Sequence, residues 1–254
     1  MFNSSSISIG SWIQFSQPAH AEILAKAGFD WLAIDLEHSV INLREAEDLI
    51  RIIELCDVVP LVRMSSNNSV QIARIMDAGA HGVIVPMINE KEAAQAAVDA
   101  VFYPPKGKRG VGLARAHGYG AKFEEYQSWL PDHGIVIVQI ENNKGIDNLR
   151  DILSVAGVYG FIVGPYDLSF SLGIPGQFAH PLMIEKMNEI NEIANDFPHI
   201  KKGVHKIPID PQPVLDAVQE GYELIAYSTD MLFMGESCRR GLNQIRSELG
   251  KAEE

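Results

Sequence analysis

Cysteine is almost missing from this chain, and so are a basic surplus and any long apolar run. Two cysteines in 254 residues, Cys56 and Cys238, stand far apart without CxxC spacing, so no disulfide framework or thiolate metal cage can be built from them. Lys and Arg number 21 against 33 Asp and Glu, a net charge of -12, which excludes the basic face that nucleic acid or an anionic membrane requires. No stretch is long and apolar enough to span a bilayer, and Met1–Gly10 lacks the basic start and apolar core of a signal peptide, so a cytoplasmic protein is expected. The cationic, Gly-rich stretch from Lys106 to Gly112 lacks the Gly-Lys-Ser/Thr ending of a phosphate-binding loop, which removes the obvious nucleotide motif. No composition shift marks a linker, and no fixed-period repeat is visible.

What remains is 46% hydrophobic and regularly alternating. Apolar or β-branched runs recur at Ile7–Gln14, Trp31–Asp35, Val58–Arg63, Gly82–Pro86, Gly134–Ile140, Tyr159–Gly164, Lys201–Lys206 and Glu223–Tyr227. Segments of helical spacing separate them at Ala19–Ala27, Leu43–Leu55, Ser69–Ala78, Glu90–Val101, Ile146–Ser154, Leu182–Asn195 and Pro211–Gln219, with a last helix over Leu232–Leu249. Strand and helix alternating eight times predict an α/β fold, a (β/α)₈ TIM barrel in one domain over 1–254, with an open doubly wound sheet as the alternative. The tail Lys251–Glu254 reads as frayed.

Barrel active sites form at the C-terminal strand ends, and those ends are polar here: Trp12 and Gln14, Asp35-Leu36-Glu37-His38, Arg63, Gln139 and Glu141, Asp167, His205 and Lys206, Ser228 and Asp230. A carboxylate closing a strand buried on both faces needs a cation or hydrogen bonds, so Glu141 and Asp167 read either as hard-oxygen metal ligands or as first-turn residues of the next helix. Arg63 offers a fork of donors to a carboxylate, against the alternative of a salt bridge with a loop acid. His38 is the best general-base candidate among 8 histidines, with Asp35 and Glu37 near enough in sequence to orient its ring. Gln139, two residues before Glu141, faces the same mouth, where it either bonds substrate or sits as an interior amide.

Taken together, these residues resemble the class II pyruvate aldolases of the HpcH/HpaI type, a family that includes 2,4-dihydroxyhept-2-ene-1,7-dioate aldolase and 2-dehydro-3-deoxyglucarate aldolase. The resemblance runs through Ala27-Gly28-Phe29-Asp30-Trp31 into Ile34-Asp35-Leu36-Glu37-His38, then Val62-Arg63, Asp77-Ala78-Gly79-Ala80 and Val85-Pro86-Met87. It continues over Tyr103–Gly112, Val138-Gln139-Ile140-Glu141 and Gly164-Pro165-Tyr166-Asp167-Leu168-Ser169, and thins after Gly203. It implies a divalent cation (Mg²⁺, Mn²⁺ or Co²⁺) on Glu141 and Asp167 that holds an α-keto acid and stabilises its enolate. It further implies Arg63 on the keto acid, His38 as base with Asp77 as its partner, and a keto-acid pocket that includes Trp12, Gln139, Tyr166 and Asp167.

The activity so implied is aldol cleavage of a 2-keto-4-hydroxy acid to pyruvate, or a related α-keto acid, and an aldehyde. Alternatives are a citrate-synthase-like or malyl-CoA-lyase-like enzyme using acetyl-CoA, a non-catalytic keto-acid binder, and a Schiff-base aldolase through Lys206. The same family implies a homo-oligomer, a hexamer built as a trimer of dimers, with the last helix exchanged between subunits. The loop from 106 to 120 reads as a lid or subunit contact, with Arg109 or Arg115 near an active site, its own or a neighbour's. Tyr119, Phe123, Tyr126 and Trp129 follow as an apolar face. His205 and Lys206 stand where relatives end the seventh strand with apolar residues, near the place of the incoming aldehyde.

Overall fold

A computed structural model describes residues 7–250; the tail Lys251–Glu254 lies outside the described residues. Eight parallel strands close into a barrel in chain order: β1 Ser8–Ile13, β2 Trp31–Asp35, β3 Val59–Arg63, β4 Gly82–Val85, β5 Ile135–Ile140, β6 Gly160–Val163, β7 Lys201–Lys206 and β8 Leu224–Thr229. Each lies within one or two residues of the run that predicts it. The helices between them are α1 Pro18–Lys26, α2 Leu43–Leu55, α3 Ser69–Asp77, α4 Lys91–Val101, α5 Phe123–His133, α6 Asn143–Asp147, α7 Leu149–Leu153, α8 Pro165–Ser171, α9 Pro181–Asn195, α10 Gln212–Gln219 and α11 Asp230–Glu248. The expected helix over Ile146–Ser154 is instead two short ones meeting at Asn148, and α5 and α8 are additional. α8 is only 7 residues long and opens on Pro165, whose fixed φ starts a helix that hydrophobic spacing is too short to announce.

Side-chain parity along the strands explains both core and site. Val62, Val83, Val138, Ile140 and Val163 point outward and join Leu49, Ile50, Ile72, Val98 and Leu149 in the layer between sheet and helices. The opposite parity fills the barrel with Trp12, Trp31, Ala33, Leu61, Ile84, Ile137, Ile162 and Ala226. Gly10 admits the Trp31 indole, since a Cβ there would overlap the ring. One pleat further up, the inward parity of the same strands reaches Gln14, Asp35, Arg63, Gln139, Gly164, His205 and Ser228. The apolar plug therefore ends in a polar layer, and the register of β2 against β3 sets Asp35 directly beside Arg63.

Candidate active site

Asp35 and Arg63 form the rigid centre of the mouth. Arg63 donates from Nε to Asp35 Oδ1 at 2.9 Å and from Nη2 to Oδ2 at 2.6 Å, a bidentate pair that also stacks 4.4 Å over the Trp12 ring. Asp35 is 0% exposed and also accepts the backbone N–H groups of Glu37 and His38 and the Gln14 amide at 3.0 Å. Burial would push its carboxyl up, but the guanidinium and these donors together hold it below the usual carboxylate range. Sequence spacing assigns Asp35 to the His38 ring. The structure gives it to Arg63, because a guanidinium on the neighbouring strand outcompetes an imidazole for a buried carboxylate. Asp35 braces only the His38 backbone.

The other acids lack such compensation. Glu141 is 3% exposed; its Oε1 accepts the Met87 N–H at 2.7 Å, and Oε2 accepts the Gln139 amide. Met87 adopts a left-handed φ of 55°, a strained setting for a non-glycine residue. Gly164 leaves room for the pair, since a Cβ there would sit 2.9 Å from Glu141 Oε2 and 3.2 Å from Gln139 Nε2. Burial above all pushes the Glu141 carboxyl up to about 7, opposed first by the Met87 N–H, with the Glu37 and Asp167 charges adding to the rise and the Gln139 amide offsetting a little of it. Glu37 is likewise pushed up to about 6, chiefly by burial, with Asp35 and Asp167 adding to it and Arg63 opposing. Its carboxylate lies 3.4 Å from Arg63 Nη1 and 3.8 Å from His38 Nε2. Asp167 stands exposed in the first turn of α8, beside Tyr166, whose ring meets Phe178 edge-on at 4.8 Å.

A cleft of about 410 Å³ has Trp12, Gln14, His38, Arg63, Gln139, Tyr166, Asp167, His205 and Thr229 on its walls, and two of these, Arg63 and Gln139, donate to Asp35 and Glu141. The His38 side chain, 58% exposed, sits at the rim. Lys206 does not line this cleft; it faces an outer chamber with Met183, Met187 and Tyr222, because adjacent strand residues point to opposite faces.

Asp77 is not brought to His38. It ends α3 at the N-terminal side of the barrel, where the charges of Arg109 and His117 partly offset the burial that raises its carboxyl. The 106–120 loop lies at the same end, since it leads from the end of α4 toward β5, and so it is no lid over its own mouth. There Arg109 is buried against Tyr103 at 4.3 Å and donates to Tyr126 Oη at 2.9 Å, while Arg115 pairs with Glu54 and donates to the Ala78 carbonyl at 3.0 Å. The sequence places Glu37 among the strand-end acids of the mouth as an orienting group for His38; the Met87 N–H as a carboxylate anchor had no signal in it.

A closed parallel barrel with a carboxylate-rich mouth at its C-terminal strand ends defines the class. A family model described as HpcH/HpaI aldolase/citrate lyase matches residues 8–230. The chain is 42% identical over 174 residues to a hydroxypyruvate/pyruvate aldolase of Roseobacter denitrificans, covering 68% of each chain. It is 34% identical over 235 residues to a 2-dehydro-3,6-dideoxy-6-sulfogluconate aldolase of Pseudomonas putida, covering 92% of this chain and 91% of the relative. A crystal structure of an HpcH/HpaI aldolase/citrate lyase family protein from Burkholderia cenocepacia superposes with a TM-score of 0.88 at 30% identity, covering 95% of both chains. The chain belongs to the HpcH/HpaI aldolase/citrate lyase family. Within that family it is an aldolase, a carbon–carbon lyase.

Proposed function

We propose that this barrel cleaves a 2-keto-4-hydroxy acid between C3 and C4 into pyruvate, or a related α-keto acid, and an aldehyde, and runs the reverse addition. The carrying observation is the charge imbalance of the mouth. Glu37 and Glu141 are pushed up by burial and by the neighbouring acid charges, Asp167 among them, while the Arg63 guanidinium is hydrogen-bonded to Asp35 and shared at 3.4 Å with Glu37. A buried carboxylate pushed to about 7 is a site short of positive charge.

Glu141 and Asp167 would hold a divalent cation. Among the described residues no group of three or more His, Cys, Asp or Glu side chains forms a metal cage. Two hard oxygen ligands with room for water and a bidentate keto acid suit Mg²⁺, Mn²⁺ or Co²⁺ in a substrate-binding role. When bound, such an ion supplies a Lewis acid for the keto oxygen, which becomes negative as C3 becomes a carbanion.

The chain's own residues do the rest. Arg63, fixed by Asp35 and stacked on Trp12, presents its remaining N–H groups to the keto acid's oxygens, and the fixed geometry avoids reorganisation as charge develops. Gln139 and Tyr166 complete that wall. His38 at the rim takes the C4 hydroxyl proton in the cleavage direction, the C3–C4 electron pair moves to C3, and a proton is then delivered there to give the methyl group of pyruvate. In synthesis His38 removes the methyl proton. Glu37, the acid nearest the ring, positions it.

Assembly completes the proposal. Helix α11 buries only Asp230 along its length and leaves Met234, Leu242, Ile245 and Leu249 exposed, which supports its packing on a second subunit in a hexamer built as a trimer of dimers. Such packing would also be the means by which Asp77 or the 106–120 loop meets a neighbour's mouth. Light scattering is expected to exceed a dimer; a 28.0 kDa species would refute it. The functional test is product analysis: a 4-hydroxy-2-oxo acid with Mn²⁺ should yield pyruvate and the matching aldehyde. Citrate from oxaloacetate and acetyl-CoA, with no aldol cleavage, would refute the lyase reading.

A further inference from the structure

Three side chains around the mouth, on β5, on β7 and just beyond β1, carry hydrogen-bond acceptors without donors among the described residues. Gln14 gives its amide NH₂ to Asp35 Oδ2 at 3.0 Å, and Gln139 gives its amide NH₂ to Glu141. A carboxylate only accepts, so both amides are locked with their nitrogens toward the acids, and both carbonyl oxygens are left buried without a partner among the described residues.

His205 is the third such group. It lies on the inward parity of β7 opposite Ala226, with its ring 5.6 Å from that of Trp12 at 64°. The Ser228 carbonyl accepts from one ring nitrogen, and Ser228 holds a left-handed φ of 52°. Nε2 is the nitrogen left buried with no partner among the described residues. Burial, reinforced by the Arg63 charge, lowers the imidazole to about 4, so the ring is neutral near pH 7. With its one proton directed at Ser228, Nε2 carries a lone pair only.

An unpaired buried acceptor is costly, and it is relieved by a ligand that brings an O–H. Resting on the aldolase reading, the keto acid occupies the β5–β6 side, where Glu141 and Asp167 stand, so the β7–β8 side is left for the second reactant. We infer that His205 is a specificity residue for the electrophile: its Nε2 accepts from a hydroxyl next to the aldehyde carbon, so the preferred partners are short 2-hydroxyaldehydes. Ile207, Thr229 and Leu232 close the cleft beyond it and limit length. A site built to bond a hydroxyl discriminates against the analogue that lacks it, whereas an apolar site barely distinguishes the two.

The test compares glycolaldehyde with propanal, its near-isostere without the hydroxyl, as acceptors for pyruvate with Mn²⁺ in the full-length protein. The readout is the ratio of kcat/KM values within each variant, which general losses of activity or folding do not alter. The wild type is expected to favour glycolaldehyde by roughly 10- to 100-fold, the range set by leaving one buried polar group unpaired. His205→Leu should bring the ratio near one, mostly by a loss on glycolaldehyde. His205→Gln, which restores a side-chain carbonyl, should recover part of the preference. An unchanged ratio in His205→Leu, or a wild type that shows no preference, would overturn the inference. Solvent deuterium exchange into pyruvate alone separates the two levels: exchange with an unaltered ratio indicts His205, whereas absent exchange in the wild type overturns the enolate reading and this inference with it.

Discussion

Two clefts at opposite ends of the barrel treat a half-buried glutamate in opposite ways. At the N-terminal end Glu54 lies 3.9 Å from His81 and pairs with Arg115, and the His81 hydrogen bond, followed by that of Arg115 and its charge, holds its carboxyl below the usual range. At the C-terminal mouth Glu37 and Glu141 are pushed up to about 6 and about 7. Both ends are hollow: a cleft of about 370 Å³ lined by Glu54, His81, Arg115 and Trp129 answers the one at the mouth. Cavity size therefore does not tell a site from a seam. In the basal cleft Glu54 has its cationic partner Arg115, whereas the mouth holds two raised carboxylates together with two amide oxygens and an imidazole nitrogen that have no hydrogen-bond partner among the described residues, which is the state of a surface that awaits a ligand.

If that contrast is functional, substitutions should cost activity at the mouth and little at the base. The largest effect is expected from Glu141→Gln and Asp167→Asn, which should lower kcat/KM for aldol cleavage by about 10²–10⁴-fold, the scale of several kcal/mol of charge stabilisation. Isothermal titration should show weakened Mn²⁺ binding in both. A variant that cleaves at the wild-type rate would break the comparison outright. His38→Ala should slow deuterium exchange into pyruvate by roughly 10²–10⁴-fold with less change in pyruvate affinity, so an unaffected rate would move the base elsewhere.

Arg63→Met sharpens the contrast on the side of stability. It strands Asp35, fully buried, without its bidentate partner, and should cost about 3–5 kcal/mol in urea denaturation. Loss of less than about 1 kcal/mol would mean that Asp35 is compensated by backbone donors alone.

A pH effect of similar size follows from His205. Its folded value of about 4 lies below the ordinary 6.5, so the unfolded chain binds a proton that the fold refuses. This group leaves stability undiminished above pH 6.5 and lowers it progressively as pH falls to 4, by on the order of 3 kcal/mol in total. The difference between wild type and His205→Leu in denaturation midpoints should grow across that window, and a constant difference would contradict a neutral, sequestered ring. The smallest effect belongs to the base: Glu54→Gln, at a partly exposed pair, should cost no more than about 1 kcal/mol and leave turnover intact.

Much of this was legible in the residues. The strands are short apolar or β-branched runs set between helical segments, and inward parity carried from Leu61 to Arg63, and from Ile137 to Gln139 and Glu141, names part of the polar layer. What escaped depends on competition in space. Asp35 is two residues from Glu37 and three from His38 in sequence, yet Arg63, 28 residues away, takes its carboxylate because strand register sets them side by side. Asp77 and the 106–120 loop fall at the far end because a helix that leaves the mouth must finish at the base. α8 is too short for periodicity to reveal, although its Pro165 start and Asp167 in the first turn were visible.

The central claim is that the mouth makes a carbon nucleophile from an α-keto acid with the help of a cation on Glu141 and Asp167. Proton NMR of pyruvate in D₂O with the wild-type protein tests it without any aldehyde. The account predicts that the methyl signal is lost through exchange in the presence of Mg²⁺ or Co²⁺, stops with excess EDTA and resumes when the ion is restored. Exchange at an undiminished rate in fully chelated protein, or none under any metal, would contradict it.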